Sequence, residues 1–294
     1  MNFISTRGGV APAGLREALF AGPAADGGLY VPETLTPLPA RTLEEFPQLR
    51  FPEISRRVAE HLIGDQVPAR VLAECVESSL DFAVPLSPVE EGIWSLELFH
   101  GPTLAFKDVG ARFMARLMSH FREPGDARRT ILVATSGDTG SAIANAFHGL
   151  DGFEVVILFP SGKVSPRQQK QFTTFGDNVR AVAIGGTFDD CQALARQAFA
   201  DPLLRQKLRL ASANSINVGR LLPQIFYYFH AVARLPRETD PVVISVPSGN
   251  FGNLTAGLMA RRLGLRCARL VAATNRNDVV PEYLNSVIFL PSKS

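Results

Sequence analysis

The chain predicts an α/β fold of parallel sheets with flanking helices, plus a small N-terminal region, and three observations carry that reading. From about residue 93, short aliphatic and β-branched runs alternate with helical patterns of roughly a dozen residues, the rhythm of βαβ units. Several strand runs end in loops dense in Gly, Ser, Thr and Asn that open the next helix. Residues 1–85 differ: Gly27-Gly28-Leu29-Tyr30-Val31-Pro32 and prolines 37, 39, 52 and 68 punctuate short elements. We therefore divide the chain into 1–85, an N-terminal region, and 86–294, an α/β domain.

Apolar spacing predicts two helices in the first part, 51–63 and 69–82. In the second part Ile131-Leu132-Val133-Ala134 reads as a strand and 141–147 as its helix. Residues 155–159 form the next strand, followed by a helix over 166–175. The pattern repeats with a strand at 179–184 and a helix at 188–200, then a short strand at 210–213 and a long helix at 221–232. A fifth strand at 242–246 leads into a helix at 254–263, and 270–273 reads as a sixth strand.

Composition narrows the function classes. The 294 residues are 46% apolar, enough for a sizeable buried core and too apolar for disorder. A formal net charge of +2 gives no general reason to expect nucleic acid or an anionic membrane as partner. Cys75, Cys191 and Cys267 are odd in number and far apart, which fits reduced thiols in a cytoplasmic protein. The five histidines show no metal-ligand spacing, so no metal is expected. No basic leader precedes an apolar run and no membrane-length apolar stretch occurs. Together these point to a soluble, cytoplasmic protein.

Candidate chemistry starts at Lys107. It sits in Ala105-Phe106-Lys107-Asp108, just after the breakers Gly101-Pro102, and a helical stripe of Val109, Phe113 and Leu117 follows. A lysine shielded from water sheds its proton more cheaply and can form a Schiff base with an aldehyde. Most of the 30 Lys and Arg residues are necessarily solvated charges, so neighbouring motifs must support the assignment.

In open parallel sheets, ligands bind beyond the carboxyl ends of the strands. The loop Ser248-Gly249-Asn250-Phe251-Gly252-Asn253 lies there, where glycine backbone and free amides at a helix start suit a phosphate. A tight βα turn capped by Asn253 is the alternative. Thr135-Ser136-Gly137-Asp138-Thr139-Gly140 has the same position and suits a carboxylate or phosphate, or is simply a capped helix start; it lacks the spacing of a nucleotide P-loop. Two further polar loops carry Lys163 and, near Ser212-Ala213-Asn214-Ser215-Ile216-Asn217, Arg220. As a pair these cations suit a doubly charged phosphate, although either alone fits a solvated surface role.

These motifs resemble the threonine synthase family, within the pyridoxal phosphate enzymes of the tryptophan synthase β type. The resemblance runs from Ser5-Thr6-Arg7-Gly8 and Asp26-Gly27-Gly28-Leu29-Tyr30-Val31-Pro32 through the Lys107 segment and residues 134–142. It continues over 212–217 and 246–253 to Ala272-Ala273-Thr274-Asn275. It implies pyridoxal 5'-phosphate attached to Lys107, with Phe106 beside the ring and Ser248, Gly249, Asn250, Phe251, Gly252 and Asn253 holding the phosphate. It also implies that Thr135, Ser136, Gly137, Asp138 and Thr139 face the substrate's amino-acid end. Lys163, Ser212, Asn214 and Arg220 are then candidates for the substrate's phosphate. The implied reaction converts O-phospho-L-homoserine and water to L-threonine and phosphate. Related enzymes place an asparagine near the cofactor's 3-hydroxyl where this chain has Asp138.

The chain ends at Pro291-Ser292-Lys293-Ser294, whereas family members usually continue, through a segment that supplies a Ser or Thr to the cofactor's pyridine nitrogen. An enzyme and a catalytically silent shortened product that keeps part of the fold are both open readings, with a serine or threonine dehydratase more remote. Such a shortening is expected to leave apolar edges uncovered.

Overall fold

The computed structural model of the chain describes residues 1–123, 125–215, 217–236 and 241–288. Ile216 of the 212–217 motif and the terminal stretch from 289 lie outside the described residues. The N-terminal part runs β1 (Phe3–Ser5), α1 (Leu15–Ala21), β2 (Tyr30–Pro32), α2 (Ala40–Glu45), α3 (Phe51–Ile63) and α4 (Ala69–Ser79). A hairpin of β3 (Leu86–Glu90) and β4 (Ile93–Leu96) leads to α5 (Lys107–His120). Next come β5 (Arg129–Ala134), α6 (Asp138–Phe147), β6 (Phe153–Pro160), α7 (Pro166–Thr173), β7 (Val179–Ile184), α8 (Phe188–Ala200) and α9 (Pro202–Leu208). The remainder is β8 (Ala211–Ser212), α10 (Val218–Leu221), α11 (Gln224–Arg234), β9 (Val243–Pro247), α12 (Gly252–Arg262), β10 (Arg269–Ala273) and α13 (Val279–Ser286).

The central sheet has the order β7-β6-β5-β8, all neighbours parallel, so the loops after β5, β6 and β8 emerge at one end. β9 and β10 pair in parallel as a separate two-stranded sheet. β6 alternates because its two faces are unequally covered, Phe153, Val155, Ile157 and Phe159 being buried while Glu154, Val156 and Leu158 are half-buried.

Helix α5 runs through the core. Val109, Phe113, Met114, Leu117 and Met118 are fully buried, each contributing about 1.5–3 kcal/mol by leaving water. Phe113 meets Phe226 of α11 edge to face at 5.3 Å. The N-terminal region shares this core. Leu19 of α1 packs with Met114 around Gly219, and Phe51 of α3 lies against His230 of α11. All three cysteines are unpaired and buried.

Three expectations need correction. The run at residue 93 is not the start of a βαβ unit: it pairs antiparallel with β3 across a turn at Gly92, whose φ is +74°. The helix expected at 221–232 is α11, which starts at Gln224 after Leu222-Pro223, where proline withholds a backbone donor; Leu221 instead closes the short α10. The helix from 69 ends at Ser79 rather than 82. Large apolar side chains are exposed at Val243 (54%), Val271 (39%) and Leu284 (68%). No helix among the described residues is long and apolar enough to cross a membrane.

Candidate active site

The loop before α5 fixes where Lys107 stands. Asp108, wholly buried in the first turn, accepts hydrogen bonds from the Thr103 amide at 2.9 Å and the Thr103 hydroxyl at 2.6 Å. Gly101 is required for that closure, because a Cβ there would come within 2.5 Å of the Asp108 carboxylate. Burial pushes the Asp108 carboxyl upward, opposed by the bonds from Thr103 and Ala105 and by the charge of Arg112. Leu104, in this same loop, holds a left-handed φ of +59°, a conformation costing about 1 kcal/mol that persists because its neighbours over-determine it.

Lys107 Nζ donates to Asp138 Oδ2 at 2.9 Å and lies 4.7 Å from the centre of the Phe106 ring. Asp138, the first residue of α6, also accepts from Gln168 Nε2 of α7 at 2.7 Å. Burial alone would raise the Asp138 carboxyl. The hydrogen bond and charge of Lys107, with Gln168, outweigh it and hold that carboxyl below its ordinary value. Gln171 of α7 reaches back to the Thr103 carbonyl at 3.3 Å, so α7 braces both sides of the pair.

Thr135 is committed to its own loop. It is buried, and its hydroxyl accepts from the amides of Gly137 at 3.0 Å and Gly140 at 2.9 Å. Gly137 turns at φ +152° with the Gln168 amide packed over it. Ser136 is exposed, and Asp138 and Thr139 are half-buried.

The loop after β9 opens α12. Ser248 is tied by its amide to Ala273 and by its hydroxyl to Val246, and Gly249 and Asn250 are exposed. Phe251 takes a left-handed φ of +57°. The amide of Thr255 is bonded to the Phe251 carbonyl, so the amides of Gly252, Asn253 and Leu254 precede the helical ladder and have no acceptor within it. The Tyr227 and Tyr228 hydroxyls lie 2.8 and 2.7 Å from the Asn253 side-chain oxygen and anchor this first turn to α11. A Cβ on Gly252 would lie 3.9 Å from that of Ser215, which places Ser215 beside it. Helix α10 packs on both α5 and α12, linking the lysine-bearing helix to this second loop.

Other expected residues are placed less openly. Ser212 is fully buried and Arg220 is 3% exposed, donating to the Ala213 carbonyl at 2.7 Å. Its Nε has no partner among the described residues, and burial pushes the guanidinium down to about 10 against the opposing pull of Asp108. Asn214 is half-buried and Lys163 exposed in the loop after β6. Sequence reading passed over Asp108 and Gln168 as positioning groups. The signal for Asp108 was present, an acid next to the lysine in a first helical turn. Gln168 had none, because its role depends on α7 folding over Gly137.

An amine on a helix start and amide donors at a second helix entrance are the two donor types that an aldehyde bearing a phosphate requires, so these residues fit pyridoxal phosphate. Comparisons with known proteins agree with that chemistry. A family model described as threonine synthase N terminus matches residues 2–80, and one described as pyridoxal-phosphate dependent enzyme matches 84–285. Threonine synthase of Haemophilus influenzae is 54% identical over 271 residues, covering 92% of this chain and 63% of its own length. The crystal structure of threonine synthase from Escherichia coli is similar at TM-score 0.93 and 48% identity, over 99% of this chain and 68% of that one. PLP-bound threonine synthase from Brucella melitensis superimposes at TM-score 0.90 with 41% identity, over 97% and 63% of the two chains. The chain thus spans a little under two thirds of the curated relatives it matches, 63% of the Haemophilus protein.

Proposed function

The chain belongs to the threonine synthase family of pyridoxal-phosphate dependent enzymes, and from that premise we propose that it converts O-phospho-L-homoserine and water to L-threonine and phosphate with pyridoxal 5'-phosphate held at Lys107. The observation that carries this reading is the Lys107–Asp138 pair, an amine fixed by a carboxylate that Gln168 and the Thr135 loop hold in place. In this reading Phe106 flanks the cofactor ring, and residues 248–253 hold its phosphate through the free amides at the start of α12. Residues 1–85 serve as an N-terminal region and 86–294 as the cofactor-binding part.

When bound, the cofactor supplies a conjugated electron sink that lowers the cost of removing protons from the substrate's carbon chain. The chain's own residues do the rest. Asp138 holds the Lys107 ammonium in register, and the lysine acts once that pair opens. As the free amine, Lys107 Nζ takes the proton from the substrate Cα. A further proton leaves Cβ, the Cγ–O bond breaks with its electron pair departing on phosphate, and a proton added at Cγ completes the methyl group; water then gives its hydroxyl to Cβ and its other proton to solvent, and the Lys107 ammonium returns a proton to Cα. Ser136 and Thr139, with Thr135 and Gly137 shaping their loop, meet the substrate's amino-acid end. Lys163 and Asn214 reach its phosphate. Ser212 and Arg220 are buried, and act by holding the 212–217 loop in shape.

The test is direct. The protein is expected to gain visible absorbance with pyridoxal phosphate and to release phosphate from O-phospho-L-homoserine, and Lys107→Ala to lose both. Absorbance without phosphate release from the unaltered chain would leave a cofactor-binding unit and sink the proposed reaction. Normal turnover by Lys107→Ala would refute the lysine assignment.

A further inference from the structure

At the opposite end of the central sheet lies an open cavity of about 970 Å³, bounded by α1, the start of β5, the end of α8 and α9. Its lining carries Arg16, Arg129, Arg205 and Arg209 against the single acid Glu17. That local excess of three positive charges is larger than the +2 of the entire chain. Asp126 approaches Arg16 at 3.8 Å, but among the described residues no carboxylate lies within ion-pair distance of Arg129, Arg205 or Arg209.

Arg129 stacks on the Phe20 ring, its guanidinium carbon 4.2 Å from the centroid, which fixes the plane of its donor fork. Burial, then the charge of Arg209, press the Arg129 guanidinium below its ordinary value against the opposing pull of Asp126. Arg209 ends α9 in a left-handed conformation, φ +47° and ψ +51°, where glycine is the usual occupant. Gln206 adds a neutral hydrogen-bonding group and Phe199 an apolar wall.

We propose that this cavity binds a small ligand carrying two or more linked phosphates, either an inorganic polyphosphate or the phosphate tail of a nucleotide. Three guanidiniums from two separate elements, none with an ion-pair partner among the described residues, suit a ligand that offers several phosphate edges, each matched by one fork. The volume is of nucleotide size. The site is distinct from the lysine site: Arg129 opens β5 and Ala134 closes it toward Thr135, about 17 Å away along an extended strand. It is also independent of the proposed reaction, since cofactor absorbance reports one and polyphosphate binding the other.

The experiment is calorimetric titration of the cofactor-loaded protein with tripolyphosphate, ATP and orthophosphate, repeated on Arg205→Gln/Arg209→Gln. Both arginines are exposed, so the variant is expected to fold and to keep its cofactor absorbance. Tripolyphosphate is expected to saturate one site, orthophosphate to bind far more weakly, and the double variant to lose about tenfold or more in affinity. ATP tighter than tripolyphosphate assigns the site to a nucleotide; equal affinities assign it to the phosphate chain alone. A control, Arg41→Gln/Arg70→Gln, removes the same charge at two arginines each 90% exposed and is expected to bind as the unaltered protein does. Absence of saturation, unchanged affinity in the Arg205/Arg209 variant, or an equal loss in the control would overturn the proposal.

Discussion

Replacing Asp108 tests whether the lysine loop is held from beneath. In Asp108→Asn the geometry allows an orderly exchange: the amide oxygen can keep the Thr103 backbone N–H, and the new NH₂ can donate to the Thr103 hydroxyl, which rotates to accept. Two contacts at 2.9 and 2.6 Å therefore survive as neutral bonds but lose their charge assistance, at about 1 kcal/mol each. The buried Arg220 also loses the charge that favours its protonated form, while the burial cost that pushes the Asp108 carboxyl upward is relieved, so a net loss of about 1–2 kcal/mol is expected. Asp108→Ala removes both acceptors, strands the Thr103 amide in a dry site and is expected to cost about 4 kcal/mol. Urea unfolding gives the stabilities, and titration with pyridoxal phosphate gives the consequence at Lys107, one residue away. If Asp108→Asn lies within about 0.5 kcal/mol of the unaltered chain and takes up cofactor equally well, the loop is not held in this way.

Two other perturbations have defined signs. His230 is buried with Nε2 at 2.8 Å from the Val84 carbonyl, and burial pushes it from 6.5 down to about 4. The unfolded chain takes up its proton below pH 6.5 and the folded chain only near pH 4, so stability is expected to fall by about 3 kcal/mol as pH drops across that window. His230→Gln, which keeps a donor toward Val84, should flatten that slope in unfolding measurements; an unchanged slope would remove His230 as its source. Asn217, fully buried, donates to the Leu19 and Ser212 carbonyls at 2.8 Å and accepts from the Gly219 amide at 2.8 Å. Asn217→Ala is expected to cost about 2–4 kcal/mol, and Asn217→Asp at least as much because a carboxylate would face two carbonyls; a milder Asp variant in thermal melts would contradict the assigned orientation of the amide.

Much of this was legible in the sequence where local rules decide the outcome. The helix at 51–63, the strand at 179–184 and the helix at 188–200 have the expected bounds, because the first has a clearly buried stripe, the second stops at Gly185-Gly186 and the third is capped by Thr187. The short β1–β2 pair and α9 were not legible: three-residue strands carry no period, and α9 is a seven-residue helix with exposed Leu203, Leu204 and Leu208. At the site, Lys107 and the glycine loops announced themselves by composition. That Asp138 would meet the lysine, that Thr135 would turn inward on its loop, and that Arg220 would be buried all depend on contacts between segments far apart in sequence, which no local pattern encodes.

The central claim is that Lys107, one of five lysines in the chain, is the residue that takes the cofactor. Reduction of the pyridoxal phosphate-loaded protein with borohydride, followed by peptide mass mapping, tests it most directly. The expected result is one stoichiometric adduct on Lys107, with Lys163, Lys170, Lys207 and Lys293 unmodified. An adduct on one of those four, or labelling spread across them while Lys107 stays free, would contradict the account.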